Sequence, residues 1–227
     1  MKKIVVLTGA GISAESGLKT FRDADGLWEG HDIYEVATPE GWHKNQQLVL
    51  DFYNQRRQQL FQVQPNEAHM SLALLEKKYS VTIITQNVDD LHERAGNSNI
   101  IHLHGELLKS RSSVDENLIY ECKSDINLGD LCDKKTQLRP HIVWFGEMVP
   151  LIPKAIEAIT KADVVLIIGT SMQVYPAASL IMYAQKSIPK YFIDPKPAVN
   201  KSEYQNLEVI AEKASIGVPA LVKQLLG

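Results

Sequence analysis

The chain has 227 residues, 44% of them hydrophobic and 22% charged, with a formal net charge of -3 at pH 7. That is enough chain for one α/β domain carrying a smaller module, and the composition excludes wholesale disorder. The slightly acidic balance argues against a broad nucleic-acid-binding surface, no apolar run reaches the roughly 20 residues that span a bilayer, and two cysteines cannot make a disulfide framework.

From the start, two lysines lead into the run Ile4 to Leu7, too short for the apolar core of a signal peptide. It reads as a buried first strand, and with so few cysteines the chain is expected in the cytoplasm. A helix is predicted from about Asn45 to Val63. At about 100° per residue, Val49, Phe52, Leu60 and Val63 share one side. Arg56 falls in the middle of that arc, Tyr53 lies beside it, and Arg57 points well away. An unpaired charge on a buried face is costly, so Arg56 needs a partner. Asn66 can cap a helix over "EAHMSLALLEKKY".

Short apolar runs come next at "VTIITQN", "NIIHLHGE", "HIVWFGE", "DVVLIIGTS", "KYFIDP" and "LEVIAE". Helical patterns lie at "LIPKAIEAITKA", "PAASLIMYAQK" and "VPALVKQLLG". Continuous Val/Ile/Leu strands indicate a sheet covered on both faces. The alternation predicts an α/β, Rossmann-like, doubly wound and mostly parallel sheet. Two regions interrupt it: the mostly helical residues 30–78 and the polar, aperiodic residues 107–139. Together they are expected to form a small domain beside a nucleotide-binding domain of residues 1–29, 79–106 and 140–227, with a cleft between.

The first strand runs into "TGAGISAESGLKTFRDADGLW". Gly9 and Gly11 permit a tight turn, and a helix after such a turn would point its amides at a phosphate. Ala14 stands where a Rossmann fingerprint has its third glycine, so the fragment alone is weak. A second strand ends in Gly169, Thr170 and Ser171, offering amides and hydroxyls at the same sheet edge. The two together point to a dinucleotide.

The strings "GAGISAESGLKTFR", "TQNVDDLHERAG", "HLHGE", "PHIVWFGE" and "GTSMQVYPA", in order, resemble the sirtuins, the NAD-dependent protein lysine deacylases. The resemblance runs from Lys3 to about Ala214, and it implies NAD bound between a Rossmann-like and a small domain. By position it implies a cofactor site of Gly9, Ala10, Gly11, Ser13, Glu15, Phe21, Arg22, Trp28, Gln86, Asn87, Val88, Asp89, Gly169, Thr170, Ser171, Asp194 and Ala214. Asp194 replaces the family's usual Asn, and Ala214 falls at the adenine side. His104 takes the place of the catalytic histidine, with Asn87 positioning ribose and water. The implied products are free lysine, nicotinamide and O-acyl-ADP-ribose. His102 and His104 are two apart, so spacing does not choose between them; the "HGE" context does. Taken alone, Asn87 and Asp89 read as a strand-end turn or helix cap, and "IVWFGE" as core strand.

One departure concerns metal. Most sirtuins carry two Cys-x-x-Cys pairs between "HGE" and "PHVVWFGE", holding a structural zinc. Here Ser112 stands where the first pair would begin, and only Cys122 and Cys132 remain. A closed zinc site needs four ligands at fixed spacing, so no metal and no zinc are expected. Leu118, Ile119, Tyr120, Leu128 and Leu131 are expected to form an apolar cluster that holds the module instead.

The resemblance also bears on Arg56. One sirtuin branch, which prefers succinyl, malonyl and glutaryl groups, carries Tyr and Arg in "YxxR" with an upstream Ala. Tyr53, Arg56 and Ala37 match it, and a guanidinium suits a distal carboxylate. Val143, Phe145, Gly146 and Glu147 are implied to line the acyl-lysine tunnel and peptide groove. The expected activity is therefore removal of succinyl, malonyl and also acetyl groups from protein lysines by a monomer that touches neither nucleic acid nor membrane. The alternatives are an ADP-ribosyltransferase using the same NAD site, or a non-catalytic NAD or ADP-ribose sensor.

Overall fold

A computed structural model describes residues 1–19, 27, 28 and 30–227. In chain order its elements are β1 (Lys3–Thr8), α1 (Gly11–Ala14), β2 (Leu27–Trp28), β3 (His31–Asp32), α2 (Ile33–Val36), α3 (Pro39–Lys44), α4 (Gln46–Gln62) and α5 (Glu67–Leu75). Then come β4 (Ser80–Thr85), α6 (Leu91–Arg94), β5 (Ile100–His102), β6 (Gly105–Ser112), β7 (Ile119–Glu121) and β8 (Leu138–Ile142). The chain closes with α7 (Ile152–Thr160), β9 (Val164–Ile168), β10 (Lys190–Ile193), β11 (Leu207–Ile210) and α8 (Ala214–Leu226).

The Val/Ile-rich strands form one parallel sheet in the order β11-β10-β9-β1-β4-β5. Chain order runs outward from β1 to one edge and then from β9 to the other, the doubly wound arrangement whose direction reverses between β1 and β9. Alternate residues of β1 enter separate cores, as a pleated strand requires. Ile4 and Val6 pack with α5 and α8, while Val5 and Leu7 pack with α7 and the segment Ala177–Tyr183. Among the described residues, no helix is long and apolar enough to cross a membrane.

Four expectations change. The pattern "PAASLIMYAQK" folds as a 3-10 helix, Ala177–Tyr183, not an α-helix. The aperiodic stretch 107–139 contains strands: β6 pairs antiparallel with β7 and β8 in a second sheet. A β-bulge or similar irregularity between Gly105 and Ser110 shifts the register, which breaks the period-two pattern a sequence reader looks for. "HIVWFGE" accordingly belongs to this second sheet, and its strand ends at Ile142. Helix α5, within the 30–78 insertion, packs on the central sheet.

The expected cluster in the module does not form. Ile119, Leu128 and Leu131 are exposed. Leu107, Cys122 and Ile126 are buried instead, in a core shared with α4, Ile142 and Trp144. The module therefore anchors on α4 rather than on itself.

That anchoring corrects the phase of α4. The helix runs as predicted, with Asn45 capping Leu48 N and Val63 at its far end. Its buried side is wider than the apolar residues mark, taking in Val49, Leu50, Phe52, Tyr53, Asn54, Arg57 and Leu60. Arg57 is 1% exposed, whereas Arg56 is only half-buried. Arg57 donates from Nε to the Leu107 carbonyl at 3.0 Å and from Nη1 to Asn54 Oδ1 at 2.8 Å. Asn54 in turn gives Nδ2 to the Ile126 carbonyl and accepts the Ile126 amide, both at 3.0 Å. Buried polar groups on α4 thus bind the backbone of the inserted module, a pattern that hydrophobic periodicity does not reveal.

Candidate functional site

Thr8, Thr85 and Ile168 sit side by side at the carboxyl ends of β1, β4 and β9. The loop after each strand therefore emerges at the reversal point of the sheet, where open α/β sheets take their ligands. The loops after β1 and β9 lock together. Gly9 donates to the Ile168 carbonyl at 3.1 Å, and Gly11 to the Gly169 carbonyl at 2.8 Å. A Cβ on Gly11 would stand 2.7 Å from Gly169 Cα, and Gly169 has φ +60. Glycine is needed there because two backbones cross in contact. Helix α1 is a single turn, and the amides of Gly11, Ile12 and Ser13 bond within the protein, so they are not an open helix terminus of the kind the sequence suggested.

Around this crossing a hydrogen-bonded set forms. Asn87 Nδ2 donates to Ser13 Oγ at 3.0 Å, and Ser13 Oγ donates to Asp89 Oδ2 at 2.9 Å. All three residues are buried. Burial raises the Asp89 pKa, against the pull of the Leu91 amide and the Ser13 hydroxyl. Gln86 Nε2 donates to Thr170 Oγ1 at 3.2 Å, joining the β4 end to the β9 end. Asn66, read only as a helix cap, also donates to the Ile12 carbonyl and to Ser16 Oγ. His92 Nε2 lies 3.2 Å from Thr8 Oγ1, and its ring packs on His69. Neither role has a local sequence signal, because each partner lies on another element, far away in the chain.

His104 comes after β5. Its Nδ1 lies 2.9 Å from the Gln86 carbonyl, which can only accept, so Nδ1 carries the hydrogen and Nε2 holds a lone pair. Burial pulls the imidazole below its usual pKa, with the Gln86 contact opposing. That makes a neutral base at neutral pH. His102 behaves oppositely: burial lowers it, but Glu93 at 2.6 Å outweighs burial and the net shift is upward. The two histidines that spacing could not separate are separated by their partners.

The segment after β8 joins His104 to the helical insertion. The Val143 amide donates to the His104 carbonyl at 2.9 Å, and the Phe145 amide to the Ala37 carbonyl at 3.0 Å. Gly146 has φ +89 and Glu147 closes the turn. The Glu147 carboxylate accepts the Trp144 amide at 2.8 Å and pairs with Arg139 at 2.7 Å and Arg111 at 3.3 Å. Burial pushes its pKa up, yet the arginines and the amide prevail and hold it down. Glu147 thus shapes the turn, its charge already matched.

Tyr53 is fully buried, and its hydroxyl accepts from Trp144 Nε1 at 3.1 Å. Burial pushes the phenol well above its usual range, so it stays protonated. Arg56, one turn along the same helix face, lays its guanidinium over Trp28 at 4.3 Å from the ring centre. Trp28 also meets Phe52 edge-on at 5.2 Å. Tyr53, Arg56, Trp28 and Trp144 therefore share one aromatic wall, with Ala37 bonded to its rim.

The remaining expected residues spread around the reversal point. Glu15 accepts from Ser215 N and Oγ at 3.0 and 2.6 Å, clasping the start of α8 beside buried Ala214. Asp194 follows β10 and accepts the Lys196 amide at 2.8 Å. Val88 packs in the α4 core, and its carbonyl accepts the Leu107 amide. Ala10 is exposed and Ser171 half-buried. Phe21 and Arg22 lie outside the described residues. Cys122 and Cys132 are free thiols. Within the cysteine module, Ser112 Oγ, Thr136 Oγ1 and Cys132 Sγ form a hydrogen-bonded chain, with steps of 3.2 and 3.1 Å.

Comparison with known proteins adds to this geometry. A family model described as the Sir2 family matches residues 9–176. A Helicobacter pylori protein named NAD-dependent protein deacylase is 63% identical over 226 residues, covering 100% of this chain and 98% of its own length. A Bacteroides thetaiotaomicron protein of the same name is 53% identical over 232 residues, with 100% and 98% coverage. Among solved structures, a Sir2 homologue in complex with NAD superposes with a TM-score of 0.89 at 40% identity, covering 99% of this chain and 90% of that one. A Sir2 protein holding a deacetylated p53 peptide and 3'-O-acetyl ADP ribose gives 0.80 at 27% identity, with 97% and 92% coverage.

Proposed function

This chain belongs to the Sir2 family and is an NAD-dependent protein deacylase, and on that premise we propose that it removes succinyl and malonyl groups, and acetyl groups as well, from lysine side chains of proteins. NAD supplies the ribose carbon that accepts the acyl oxygen. By this proposal NAD lies at the sheet edge where the crossed glycine loops, the Asn87–Ser13–Asp89 set and the Gln86–Thr170 bond form a polar cradle. In this reading His104 takes a ribose-hydroxyl proton at Nε2, while Gln86 keeps the ring in the required tautomer. Asn87 orients ribose and water, with Ser13 holding its amide. Phe21 and Arg22 belong to the same site by position.

The observation that carries the acyl preference is Arg56. Its guanidinium lies on Trp28, one helical turn from Tyr53, at a wall whose rim is Ala37 and Phe145. Arginine in this setting can fork onto a carboxylate at the end of an acyl chain, and the Tyr53 hydroxyl remains a donor. In this reading Val143, Phe145, Gly146 and Glu147 line the acyl-lysine tunnel and the peptide groove. The experiment is a peptide assay with one lysine bearing acetyl or succinyl. Arg56→Met should lose mainly the succinyl reaction; equal loss on both peptides would make Arg56 structural. Transfer of label from NAD to protein would instead favour ADP-ribosylation, and binding without nicotinamide release would favour a sensor.

The reading includes three further proposals. The chain divides into an NAD-binding unit, with α5 on its sheet, and a smaller unit built on α4 and the second sheet, with the cleft between. It works as a cytoplasmic monomer on protein substrates rather than nucleic acid. The Cys122–Cys132 module needs no zinc, since Leu107, Cys122 and Ile126 anchor it on α4. A chelator-treated sample should stay folded and active, and unfolding of the cysteine module on zinc removal would overturn this point.

A further inference from the structure

We propose that Glu93, His102 and Glu106 form an exchangeable site for a divalent transition cation of the zinc class, separate from the NAD cradle and from the cysteine module. One ligand atom from each of the three lies within 4.8 Å of the others. They come from three places, α6, β5 and the first residues of β6, so the fold and not a local motif assembles them.

Three observations point to a cation rather than to a plain ion pair. His102 Nδ1 donates toward the Asn87 carbonyl at 3.4 Å and Nε2 donates to the Glu93 carboxylate at 2.6 Å, so the hydrogen on Nε2 is the one a cation replaces. Metal-binding histidines are oriented in this way, by a carbonyl on the far ring nitrogen. Second, the trio opens into a cavity of about 330 Å³ that His141 also lines. The His141 Nδ1 is buried with no protein hydrogen-bond partner. Third, the Glu106 carboxylate is paired with a side chain at the protein surface. Glu106 Oε2 holds Lys109 at 2.8 Å, but that lysine is about one-third exposed and can swing to solvent.

One imidazole and two carboxylates suit a borderline cation such as Zn²⁺ or Co²⁺ better than Mg²⁺ or Ca²⁺, which take oxygen ligands. On binding, the cation takes the place of the hydrogen between Nε2 and Glu93. It would tie α6, β5 and β6 together two residues before His104, and so stiffen the turn that carries the base.

The test uses the full chain, stripped with a chelator and titrated with Co²⁺ by calorimetry and visible absorption. The expected result is one equivalent per chain, no thiolate charge-transfer band and a raised Tm. Affinity should fall at least tenfold in both Glu93→Gln and Glu106→Gln, each checked for native circular dichroism. Non-saturable binding, a thiolate band assigning the cation to Cys122 or Cys132, or unchanged affinity in the two variants would overturn the proposal. Neither residue belongs to the deacylase site, so failure here leaves that reading intact.

Discussion

The His104 imidazole is fixed by one contact, Nδ1 to the Gln86 carbonyl at 2.9 Å, and Gln86 is itself bonded through its side chain to Thr170 on the other half of the sheet. The imidazole is therefore set by the same strand ends that carry the glycine crossing and the Asn87–Ser13–Asp89 set. A shift at β4 would move this imidazole and the proposed NAD site together.

The pH profile should show this. Burial lowers the His104 pKa, so its neutral form persists to lower pH than a free histidine's. The acidic limb of kcat/KM should have its midpoint below about 6.5. His104→Ala should cut turnover roughly 10²- to 10⁴-fold while leaving NAD binding measurable by calorimetry. A midpoint at or above the ordinary value would remove His104 as the titrating base.

The loop crossing should tolerate no side chain. A Cβ at residue 169 would stand 2.4 Å from the Ile12 amide nitrogen, in a backbone conformation of φ +60. Gly169→Ala should cost at least about 1–2 kcal/mol from the left-handed conformation, with the contact added to that. Thermal unfolding and NAD titration should both report the loss. Unchanged NAD affinity would mean that the crossing is not part of the cradle.

Adjacent arginines should separate stability from specificity. Arg57→Met takes the Nε donor from the buried Leu107 carbonyl and one of two donors from Asn54 Oδ1, which keeps the Ile126 amide. A loss of about 1–3 kcal/mol in urea unfolding is expected, from unsatisfied buried groups. Arg56→Met should change stability by much less. Equal destabilisation by the two variants would contradict the packing described for α4.

Glu147 should matter for stability in a pH-dependent way. Its folded pKa is depressed, so its contribution is full above the unfolded value of about 4.3 and is lost as pH falls through the lower folded value. Glu147→Gln should therefore cost about 1.5–3 kcal/mol at pH 7, the worth of hydrogen bonds to a charged group. The gap between variant and parent should narrow as the pH drops below about 4.3. A gap independent of pH would assign the effect to shape rather than charge.

Much of this protein was determined by its sequence. The Val/Ile runs set the buried parallel strands, because a strand covered on both faces must be apolar throughout. The extent of α4, about Asn45 to Val63, was legible from its helical pattern, because that periodicity is local. Gly9, Gly11 and Gly169 marked the sheet edge, since only glycine permits backbone crossing. The choice of His104 over His102 came from motif context, and the structure supplies its physical cause in two different partners. What only the tertiary structure decided rests on contacts distant in sequence. Arg57 looked solvent-facing because its backbone partner, the Leu107 carbonyl, lies 50 residues away in the chain. The β6 strand was hidden because its register shift spoils alternation. The anchoring of the module on α4, the second roles of Asn66 and His92, and the grouping of Glu93, His102 and Glu106 have no local signature, since three-dimensional proximity alone creates them.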